Sequence, residues 1–327
     1  MVSRPKSKAS SAIKTIALTG GTGFIGRHII KVAREKGIIV RALTRRRLPA
    51  NAGVNWVLGD MNSAQALAKL IDGADAVIHT AGLTKALSWD DFEKTNVGGS
   101  ANLAQAIVDN GHEKPLHTLL LSSLSAREPQ LSDYARSKSL SEQVMQLLLS
   151  EGKDTPLTIL RPPAVYGPMD QEILPLIKTM KNGRVFIPAN RTNRFSMIYA
   201  KDLAHAALSC LGQKAAFAQC YELDDGAENG YIMEDLSQIA AEIFERPINS
   251  TIIPAWALKG FGHLVNLWAL IKRQPQMLTR LKVNELLHND WVAKNNKLND
   301  TKFWQAEVKL DEGLDSTINW YKNQRLL

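Results

Sequence analysis

Short apolar runs alternate with longer amphipathic patterns through the first half of the chain. The runs are mostly free of polar residues, which is typical of strands in a parallel sheet covered on both faces. The stretches between them repeat apolar residues at helical spacing. Strands are predicted at residues 15–18, 38–43, 54–58, 76–79, 118–122 and 157–160, and helices at 25–36, 64–71, 96–109 and 134–150. The alternation predicts an α/β fold with a doubly wound parallel sheet.

The alternation ends near Pro168, where prolines and glycines interrupt an irregular stretch. A short strand and helix return at residues 196–211, and the remainder is predicted to be mostly helical. The pattern therefore divides the chain into three parts. They are a basic, disordered leader (1–13), a dinucleotide-binding sheet domain (14–165 plus about 195–225), and a smaller substrate-binding region (about 166–194 plus 226–327).

A glycine-rich segment connects the first predicted strand to the first predicted helix. Gly20, Gly23 and Gly26 permit a tight turn and let a pyrophosphate approach the backbone N–H groups at the positive end of the helix. Phe24 and Ile25 lie in the same segment and are expected to contact the ligand. A strand-to-helix turn uses glycine without any ligand, but the strand before, the helix after and the further βαβ units favour dinucleotide binding.

A basic turn follows the second predicted strand, where NAD-binding proteins place an acidic residue to bind the adenosine 2′-hydroxyl. This chain has Arg45 and Arg46 there, with no Asp or Glu nearby. Guanidinium groups suit a 2′-phosphate, so we predict NADP as the cofactor and keep NAD as the alternative. Alternatively, these arginines form a solvated basic turn before Pro49 and contact no ligand.

Two further predicted strands end in residues suited to a cofactor. Asp60 and Met61 follow the third strand, and Ala81 and Gly82 follow the fourth. A carboxylate there can bond adenine, and small residues let the backbone pass close to the ligand. Asp60 is explained equally well as the N-cap of the next helix. We include all four residues in the predicted cofactor site.

A tyrosine and a lysine lie one turn apart at the start of the helix predicted at residues 134–150. Tyr134 and Lys138 share one helical face. A free phenol has a pKa of about 10, and a neighbouring ammonium or a positively charged nicotinamide lowers it. Such a spacing usually marks a surface pair. Ser123, however, ends the fifth predicted strand, at the edge where ligands bind in open α/β sheets, and this placement favours an acid–base site.

Seven motifs, taken in order, resemble the short-chain dehydrogenase/reductase superfamily and, more closely, its extended branch, the epimerase/dehydratase family. They are TGGTGFIG from Thr19, HTAG from His79, NVGGSANL from Asn96, LLSS ending at Ser123, YARSK from Tyr134, LRPPAVYGP from Leu160 and FSMIYAKDLAHA from Phe195. The resemblance covers nearly the whole chain. It implies a Rossmann-like fold, an NAD(P) cofactor and hydride transfer between the nicotinamide and a secondary alcohol or ketone.

The resemblance also implies roles for individual residues. Tyr134 would act as the acid or base, and Lys138 would bond the nicotinamide ribose and lower the pKa of the tyrosine. Ser123 would orient the substrate, and Asn96 would support the active-site helix. The residues implied to line the nicotinamide are Pro162, Pro163 and Val165.

Two departures from the family pattern bear on the substrate. Nucleotide-sugar epimerases and dehydratases commonly have an Asn that helps to hold the phosphates where this chain has Ala164. Arg194 stands in an order unlike theirs, although its guanidinium could still contact a diphosphate. We therefore expect an apolar alcohol or ketone bound near Ser123, Ala164 and Arg194. The alternatives are a nucleotide-sugar epimerase or dehydratase with tightly bound NAD, and a non-catalytic dinucleotide-binding regulator or assembly subunit.

Composition and charge exclude other classes. Of the 40 Lys and Arg residues, 12 lie within the first 50 positions beside one acidic residue, so the net charge of +8 is a local feature. The rest of the chain is slightly acidic, and no nucleic-acid partner is expected. Cys210 and Cys220 are too few for a disulfide framework and lie in no metal-binding pattern. We expect no metal and a reducing, cytoplasmic location, and the Ser-rich leader leaves a mitochondrial transit peptide as an alternative.

A C-terminal segment, residues 252–271, is predicted to place Trp256, Phe261, Leu264 and Trp268 largely on one helical face. Packing within the substrate-binding region is the favoured explanation. The alternative is an apolar lip for a lipid-like substrate or a contact with a membrane surface. A homodimer is also compatible with the sequence.

Overall fold

The apolar runs form the strands of one central sheet in the computed structural model, which describes residues 13–110, 115–151, 155–272 and 280–327. The strands are β1 (Thr15–Thr19), β2 (Ile39–Thr44), β3 (Val54–Leu58), β4 (Ala76–His79), β5 (His117–Leu121), β6 (Leu157–Arg161), β7 (Ala164–Tyr166), β8 (Arg184–Pro188), β9 (Arg194–Phe195), β10 (Met197–Tyr199), β11 (Gln219–Glu222), β12 (Asn249–Ile253) and β13 (Asp290–Trp291). The six strands predicted for the first half are confirmed to within one residue at each end.

The helices follow the amphipathic patterns. They are α1 (Phe24–Glu35), α2 (Ala64–Ile71), α3 (Trp89–Phe92), α4 (Gly99–Asp109), α5 (Asp133–Glu151), α6 (Leu174–Lys181), α7 (Ala200–Cys210), α8 (Met233–Ile243), α9 (Ala255–Lys272), α10 (Arg280–Leu287) and α11 (Leu310–Asn323). The helix predicted at residues 96–109 is in part a π-helical turn, Glu93–Gly98, that leads into α4. Such turns often occur at functional sites.

The central sheet is parallel throughout, with the order β3-β2-β1-β4-β5-β6-β11. The chain moves outward from β1 in one direction and then returns to add β4 on the other side. Ligands bind outside the carboxyl ends of the strands at such a reversal. The predicted Rossmann-like doubly wound fold is confirmed, and its binding edge lies where β1 and β4 end.

Two hydrophobic cores cover the two faces of this sheet. Side chains alternate along β1, so Ile16 and Leu18 pack with Leu203 of α7, while Ala17 packs with Leu103 of α4. All five are fully buried. Burying a Leu or Ile side chain contributes roughly 1.5–3 kcal/mol, which is why near-continuous apolar strands form the centre of the sheet.

A third core lies under the C-terminal region, around Tyr166, Leu236 and Leu314. This region is less helical than predicted, because short parallel strand pairs join distant segments. They are β7 with β10, β8 with β12, and β9 with β13. A two-residue strand such as β9 has no readable period in the sequence and exists through its distant partner. β11 was likewise not predicted as a strand, and it is the seventh strand of the central sheet.

Some features predicted from the sequence lie outside the described part of the chain. They are the basic leader up to residue 12 and the side chains of Leu264 and Trp268. In the described part, no helix has the length and apolar character needed to cross a bilayer. Nor does any group of three or more His, Cys, Asp and Glu side chains in the described ranges form a metal-binding arrangement.

Candidate active site

The glycine loop between β1 and α1 packs so closely against backbone atoms that side chains at two of its glycines would clash. Gly20 has a φ of +74°, and a Cβ there would lie 2.7 Å from the backbone nitrogen of Ala81. A Cβ on Gly26 would lie 2.2 Å from the carbonyl oxygen of Gly20. The backbone nitrogen of Gly23 donates to that same carbonyl at 2.9 Å and closes the turn. The loop thus fits a pyrophosphate at the N-terminus of α1, whose first turn contains Phe24 and Ile25.

A cleft of about 530 Å³ lies beside this loop, at the end of β2. Arg45 and Arg46 line it together with Gly21 and Thr22 of the loop, so the structure brings these two predicted regions together. Arg27, from the first turn of α1, is a third cation on the wall and was not predicted. Its position directly after the last glycine of the motif is the signal that could have identified it. Three guanidinium groups around one cleft fit a 2′-phosphate.

The loop after β3 contains Asp60 and Met61. Asp60 Oδ1 accepts a hydrogen bond from the backbone nitrogen of Asn62 at 2.8 Å. Ser63 caps α2, with its hydroxyl accepting from the nitrogen of Ala66 at 3.2 Å. The interpretation of Asp60 as the N-cap of α2 is therefore wrong, and its exposed carboxylate stands at the binding edge of the sheet.

Asn96 lies in the π-helical turn and links the loop after β4 to α5. Its amide nitrogen donates to the carbonyl of Leu83 at 3.1 Å and to the hydroxyl of Ser137 at 2.8 Å. Its amide oxygen accepts from the nitrogen of Leu83 at 2.7 Å. A Cβ on Gly82 would lie 3.2 Å from this amide oxygen, so the backbone passes close by. These contacts tie the segment that contains Ala81 and Gly82 to the helix of Tyr134.

A buried histidine connects Asn96 to the glycine loop, and its role was not predicted. His79 Nδ1 lies 2.6 Å from the hydroxyl of Thr19, and Nε2 lies 3.0 Å from the hydroxyl of Ser100. Ser100 donates to the carbonyl oxygen of Asn96 at 2.6 Å. Burial lowers the pKa of His79 to about 3, with the charge of Lys138 adding to the effect. The ring is thus neutral and acts as a polar connection under the site.

Tyr134 and Ser123 meet where β5 ends. The Ser123 hydroxyl lies close enough to the Tyr134 phenol to lower its pKa, and it accepts from the backbone nitrogen of Ser125 at 3.2 Å. Burial, opposed by Ser123 and supported by the charges of Glu285 and Glu172, raises the pKa of Tyr134 to about 12. Desolvation of a phenolate therefore exceeds the stabilisation that the protein itself offers to it, and the lowering expected from a bound nicotinamide stays a prediction. The phenol is protonated at neutral pH.

Lys138 lies on the buried face of α5, one turn beyond Tyr134. Its ammonium donates to the carbonyl oxygen of Leu121, at the end of β5, over 2.7 Å. Burial lowers the pKa of Lys138 to about 8, and Glu142 opposes this shift. Arg161 holds Glu142 through two hydrogen bonds of 2.9 and 2.5 Å. Among the described residues, two ammonium hydrogens of Lys138 remain for a ligand, which fits the hydroxyls of a ribose.

The strand after β6 carries the segment predicted to line the nicotinamide. The carbonyl of Pro162 accepts from the nitrogen of Leu124, beside Ser123, at 2.8 Å. Pro163 and Val165 follow, and Val165 pairs with Ile198 in the short sheet of β7 and β10. This segment therefore lies beside the Ser123 loop, as the prediction requires.

The two residues tied to the substrate by the family pattern have different surroundings. Ala164 exposes its methyl group on β7. Arg194 donates through Nε to the carbonyl of Asn229 at 2.7 Å and through Nη2 to that of Gly230 at 3.4 Å. Its neighbour Arg191 pairs with Glu234 at 2.6 Å. Both guanidinium groups thus bind the protein itself.

Helix α10 adds two charged residues that the sequence analysis missed. The Lys282 nitrogen lies 5.0 Å from the centre of the Tyr134 ring, and it pairs with the buried Glu285 at 2.6 Å. α10 starts about 150 residues after Tyr134, and its residues belong to none of the seven family motifs. No local signal could have placed these residues at the site.

Comparison with known proteins gives the same architecture and a consistent set of relatives. The model of the NAD dependent epimerase/dehydratase family matches residues 16–220. Ceramide reductase of Caulobacter vibrioides is 31% identical over 318 residues, which are 96% of each chain. The 2-alkyl-3-oxoalkanoate reductase of Stenotrophomonas maltophilia is 27% identical over 91% of this chain and 97% of its own. MoeE5, solved in complex with UDP-glucose and NAD, shares the fold with a TM-score of 0.71 at 20% identity, over 95% of this chain and 99% of its own.

Proposed function

The chain belongs to the NAD-dependent epimerase/dehydratase family, and we propose that within it the protein is an NADPH-dependent reductase of a long-chain apolar ketone. Family membership makes it an NAD(P)-dependent dehydrogenase, reductase or epimerase. The observation that carries the proposal is the placement of the Tyr134 phenol beside Ser123 at the binding edge of the sheet, in surroundings that raise its pKa. A group that holds its proton at neutral pH suits the reduction of a ketone, in which the carbonyl oxygen must receive one.

The residues of the site divide the work of such a reduction. Ser123 and Tyr134 bind the carbonyl oxygen, and Tyr134 donates its proton as negative charge develops there. A dinucleotide held by the glycine loop would supply a hydride for the carbonyl carbon. Lys138 holds the ribose with the hydrogens that Leu121 leaves free, and Asn96 keeps α5 against the loop after β4. The hydroxyl group of the product thus takes its proton from the protein.

The cofactor preference rests on the cleft at the end of β2. Arg27, Arg45 and Arg46 line it, and no acidic side chain is among the described residues that form its wall. An acidic residue there would accept from a ribose hydroxyl and repel a phosphate, whereas three cations attract one. This lining favours NADPH over NADH.

The substrate class rests on which groups face the site. A nucleotide diphosphate would need hydrogen bonds to replace its hydration, but Ala164 offers a methyl group and Arg194 is bonded to backbone carbonyls. An apolar ketone needs polar partners only at its oxygen. Two of the relatives support this class, because a ceramide and a 2-alkyl-3-oxoalkanoate, the substrates in their names, both carry hydrocarbon chains. Trp256, with 78% of its surface exposed, and Phe261 stand at the start of α9, which packs on α10.

The proposal is tested by comparing two ligands in the presence of NADPH. A long-chain 3-oxoacyl amide should raise the melting temperature and be reduced with loss of NADPH absorbance, while UDP-glucose should do neither. Arg194→Ala is the matched variant, and it should leave both results unchanged. Saturable micromolar binding of UDP-glucose that Arg194→Ala removes would contradict the proposal and favour a nucleotide-sugar epimerase.

A further inference from the structure

Helix α10 carries a buried carboxylate to the surroundings of Tyr134. Glu285 is 5% exposed. Its oxygens accept from the hydroxyl of Ser132, from the hydroxyl of Ser125 at 3.2 Å and from Lys282 at 2.6 Å. Removing a carboxylate from water costs free energy that a neutral side chain of the same size would not. The three donors around Glu285 show what this charge holds in place.

The two serines adjoin the groups that contact the substrate oxygen in the proposed reaction. Ser125 donates its backbone N–H to the Ser123 hydroxyl at 3.2 Å. Ser132 immediately precedes α5, and its hydroxyl accepts from the backbone nitrogen of Ala135 at 3.0 Å, as an N-cap does. One carboxylate therefore contacts both the loop of Ser123 and the end of the helix that carries Tyr134.

The third donor lies against the tyrosine itself. The Lys282 nitrogen is 5.0 Å from the centre of the Tyr134 ring, within the range of a cation–π contact. Lys282 and Glu285 are three residues apart on α10, so they share one helical face. The carboxylate thereby restrains where the ammonium stands relative to the phenol.

The docking of this segment does not depend on Glu285 alone. Arg127 donates to the carbonyl of Asp290 at 2.8 Å and to that of Val292 at 3.0 Å. Asn284 donates to the carbonyl of Leu131 at 3.3 Å. These contacts join the same two segments on either side of the ion pair. A change at Glu285 can therefore be read at the site while the segment stays in place.

We propose that Glu285 is a positioning residue for the reaction at Tyr134, an inference that rests on the proposed acid role of the phenol. It fixes the loop of Ser123 and the N-terminus of α5 relative to each other, and it keeps the Lys282 ammonium against the ring. A side chain of the C-terminal region thus sets the geometry of catalytic groups that belong to the sheet domain.

Charged groups surround the phenol on several sides. Glu285 and Lys282 approach from α10, Glu172 from the loop after β7, and Lys138 lies one turn along α5. α3 contributes an aromatic ring. The two carboxylates raise the pKa of Tyr134, Glu285 more than Glu172. Neutralising either Glu285 or Glu172 therefore removes one negative charge from near the phenol. Of these two carboxylates, only Glu285 forms hydrogen bonds with Ser125 and Ser132 in the described part of the chain.

The first measurement needs neither substrate nor cofactor. The Tyr134 phenol is titrated by NMR in protein with ζ-carbon-labelled tyrosine, and its signal is assigned by its loss in Tyr134→Phe. Glu285→Gln should lower the pKa of the phenol, because a negative charge is lost while Lys282 keeps its positive one. Lys282→Met should raise the pKa, since Glu285 then acts without its counter-charge. Glu172→Gln, the matched control, should lower it by less than Glu285→Gln.

The second measurement separates positioning from packing. In NADPH-dependent ketone reduction, Glu285→Ala should lower kcat about tenfold or more with little change in KM, because misplaced catalytic groups weaken the transition state. Glu285→Gln should recover part of kcat, since its amide oxygen still accepts from a serine. Calorimetric affinity for NADPH should be unchanged in both variants, and circular dichroism melting identifies any variant that does not fold.

The outcomes distinguish the two proposals. Equal phenol pKa values in the unmodified protein, Glu285→Gln and Lys282→Met would overturn the positioning role, as would wild-type kcat in Glu285→Ala. Wild-type turnover in Tyr134→Phe would instead overturn the proposed function. If Glu285→Ala does not fold, Ser132→Ala provides the kinetic test, because it removes the contact of the carboxylate with α5 and keeps every charge.

Discussion

The two ends of the candidate site, at the glycine loop and at Tyr134, differ in the groups that they offer to a ligand. At the glycine loop, the ligand meets backbone groups around Gly20 and Gly26 and exposed cations such as Arg45. At Tyr134, it meets buried side chains, among them Lys138, whose charges are partnered or shifted by burial. The first end lies within about 50 residues of the N-terminus, while the second collects segments from across the chain. The glycine-loop end therefore owes its properties to local conformation, and the Tyr134 end owes them to packing.

Water explains why the two ends should respond differently to mutation. Exposed arginines are solvated before and after a ligand binds, so each adds affinity nearly independently and modestly. Buried groups are tied to one another, and a change in one alters the pKa and position of its neighbours. We therefore expect changes at the Tyr134 end to be large and coupled, and changes at the arginine end to be smaller and additive.

The largest effect is expected from Tyr134→Phe. The ring and its packing remain, but the proton donor is lost, so turnover should fall by ~10² to 10⁴. NADPH affinity, measured by calorimetry, should stay within about twofold, because the binding end of the cleft is untouched. Ser139→Ala, on the same helix, is the control and should keep full activity. A phenylalanine variant with normal turnover would show that the buried end is not the chemical end.

The next effect is expected from replacing Arg45 and Arg46 together by alanine. Charge-assisted hydrogen bonds contribute about 1.5–3 kcal/mol each, less where water competes, so NADPH affinity should fall by roughly ten- to a hundredfold. NADH affinity should change little, since NADH lacks the 2′-phosphate. Arg47→Ala is a matched control, because Arg47 is an exposed arginine in the same turn that is not part of the described cleft wall. Equal affinities for NADPH and NADH in the unmodified protein would contradict the assignment.

The smallest effect is a change in the free energy of unfolding on replacing Lys138, and this replacement should stabilise the fold although it removes activity. Burial lowers the pKa of Lys138 from 10.5 to about 8, so the folded protein binds fewer protons than the unfolded chain between pH 8 and 10.5. The contribution of Lys138 to the free energy of unfolding therefore increases as the pH rises through that window. Below pH 8, the folded state carries the full cost of burying the ammonium. Lys138→Met should remove this cost while abolishing activity.

Urea unfolding measures this change. At pH 7, Lys138→Met should be about 1–3 kcal/mol more stable than the unmodified protein, less whatever the lost hydrogen bond to Leu121 contributed. The gain should shrink as the pH approaches 10. Lys85→Met, at an exposed lysine, should stay within about 0.5 kcal/mol. A destabilised Lys138→Met at pH 7 would mean that the buried ammonium stabilises the folded state, contrary to the expected cost of its burial.

Local patterns determined the parts of this protein that depend on near neighbours in the chain. The strands of the first half follow from short continuous apolar runs, the shared face of Tyr134 and Lys138 from 3.6 residues per turn, and the turn after β1 from the special conformations of glycine. These features involve residues less than about ten positions apart. The sequence was therefore sufficient to predict six of the seven strands of the central sheet, its binding edge and the family.

The tertiary structure decided everything that depends on distant partners. Glu285 meets Ser132 across 153 positions, and Arg127 meets Val292 across 165. Whether Arg194 is free for a ligand or bonded to Asn229 is likewise a matter of which loop folds beside it. Such contacts leave no periodic trace in the sequence, because they depend on how the elements pack and not on their spacing.

Burial is the physical reason for the remaining difference. The sequence shows that Tyr134 and Lys138 lie together, but the direction of a pKa shift depends on whether water or a charge dominates around the group. In this fold, burial dominates at both, and the pKa of the phenol rises while that of the ammonium falls. The sequence by itself determined that Tyr134 and Lys138 share one helical face, and only the packed structure determined which further groups meet them and which of these groups hold a proton.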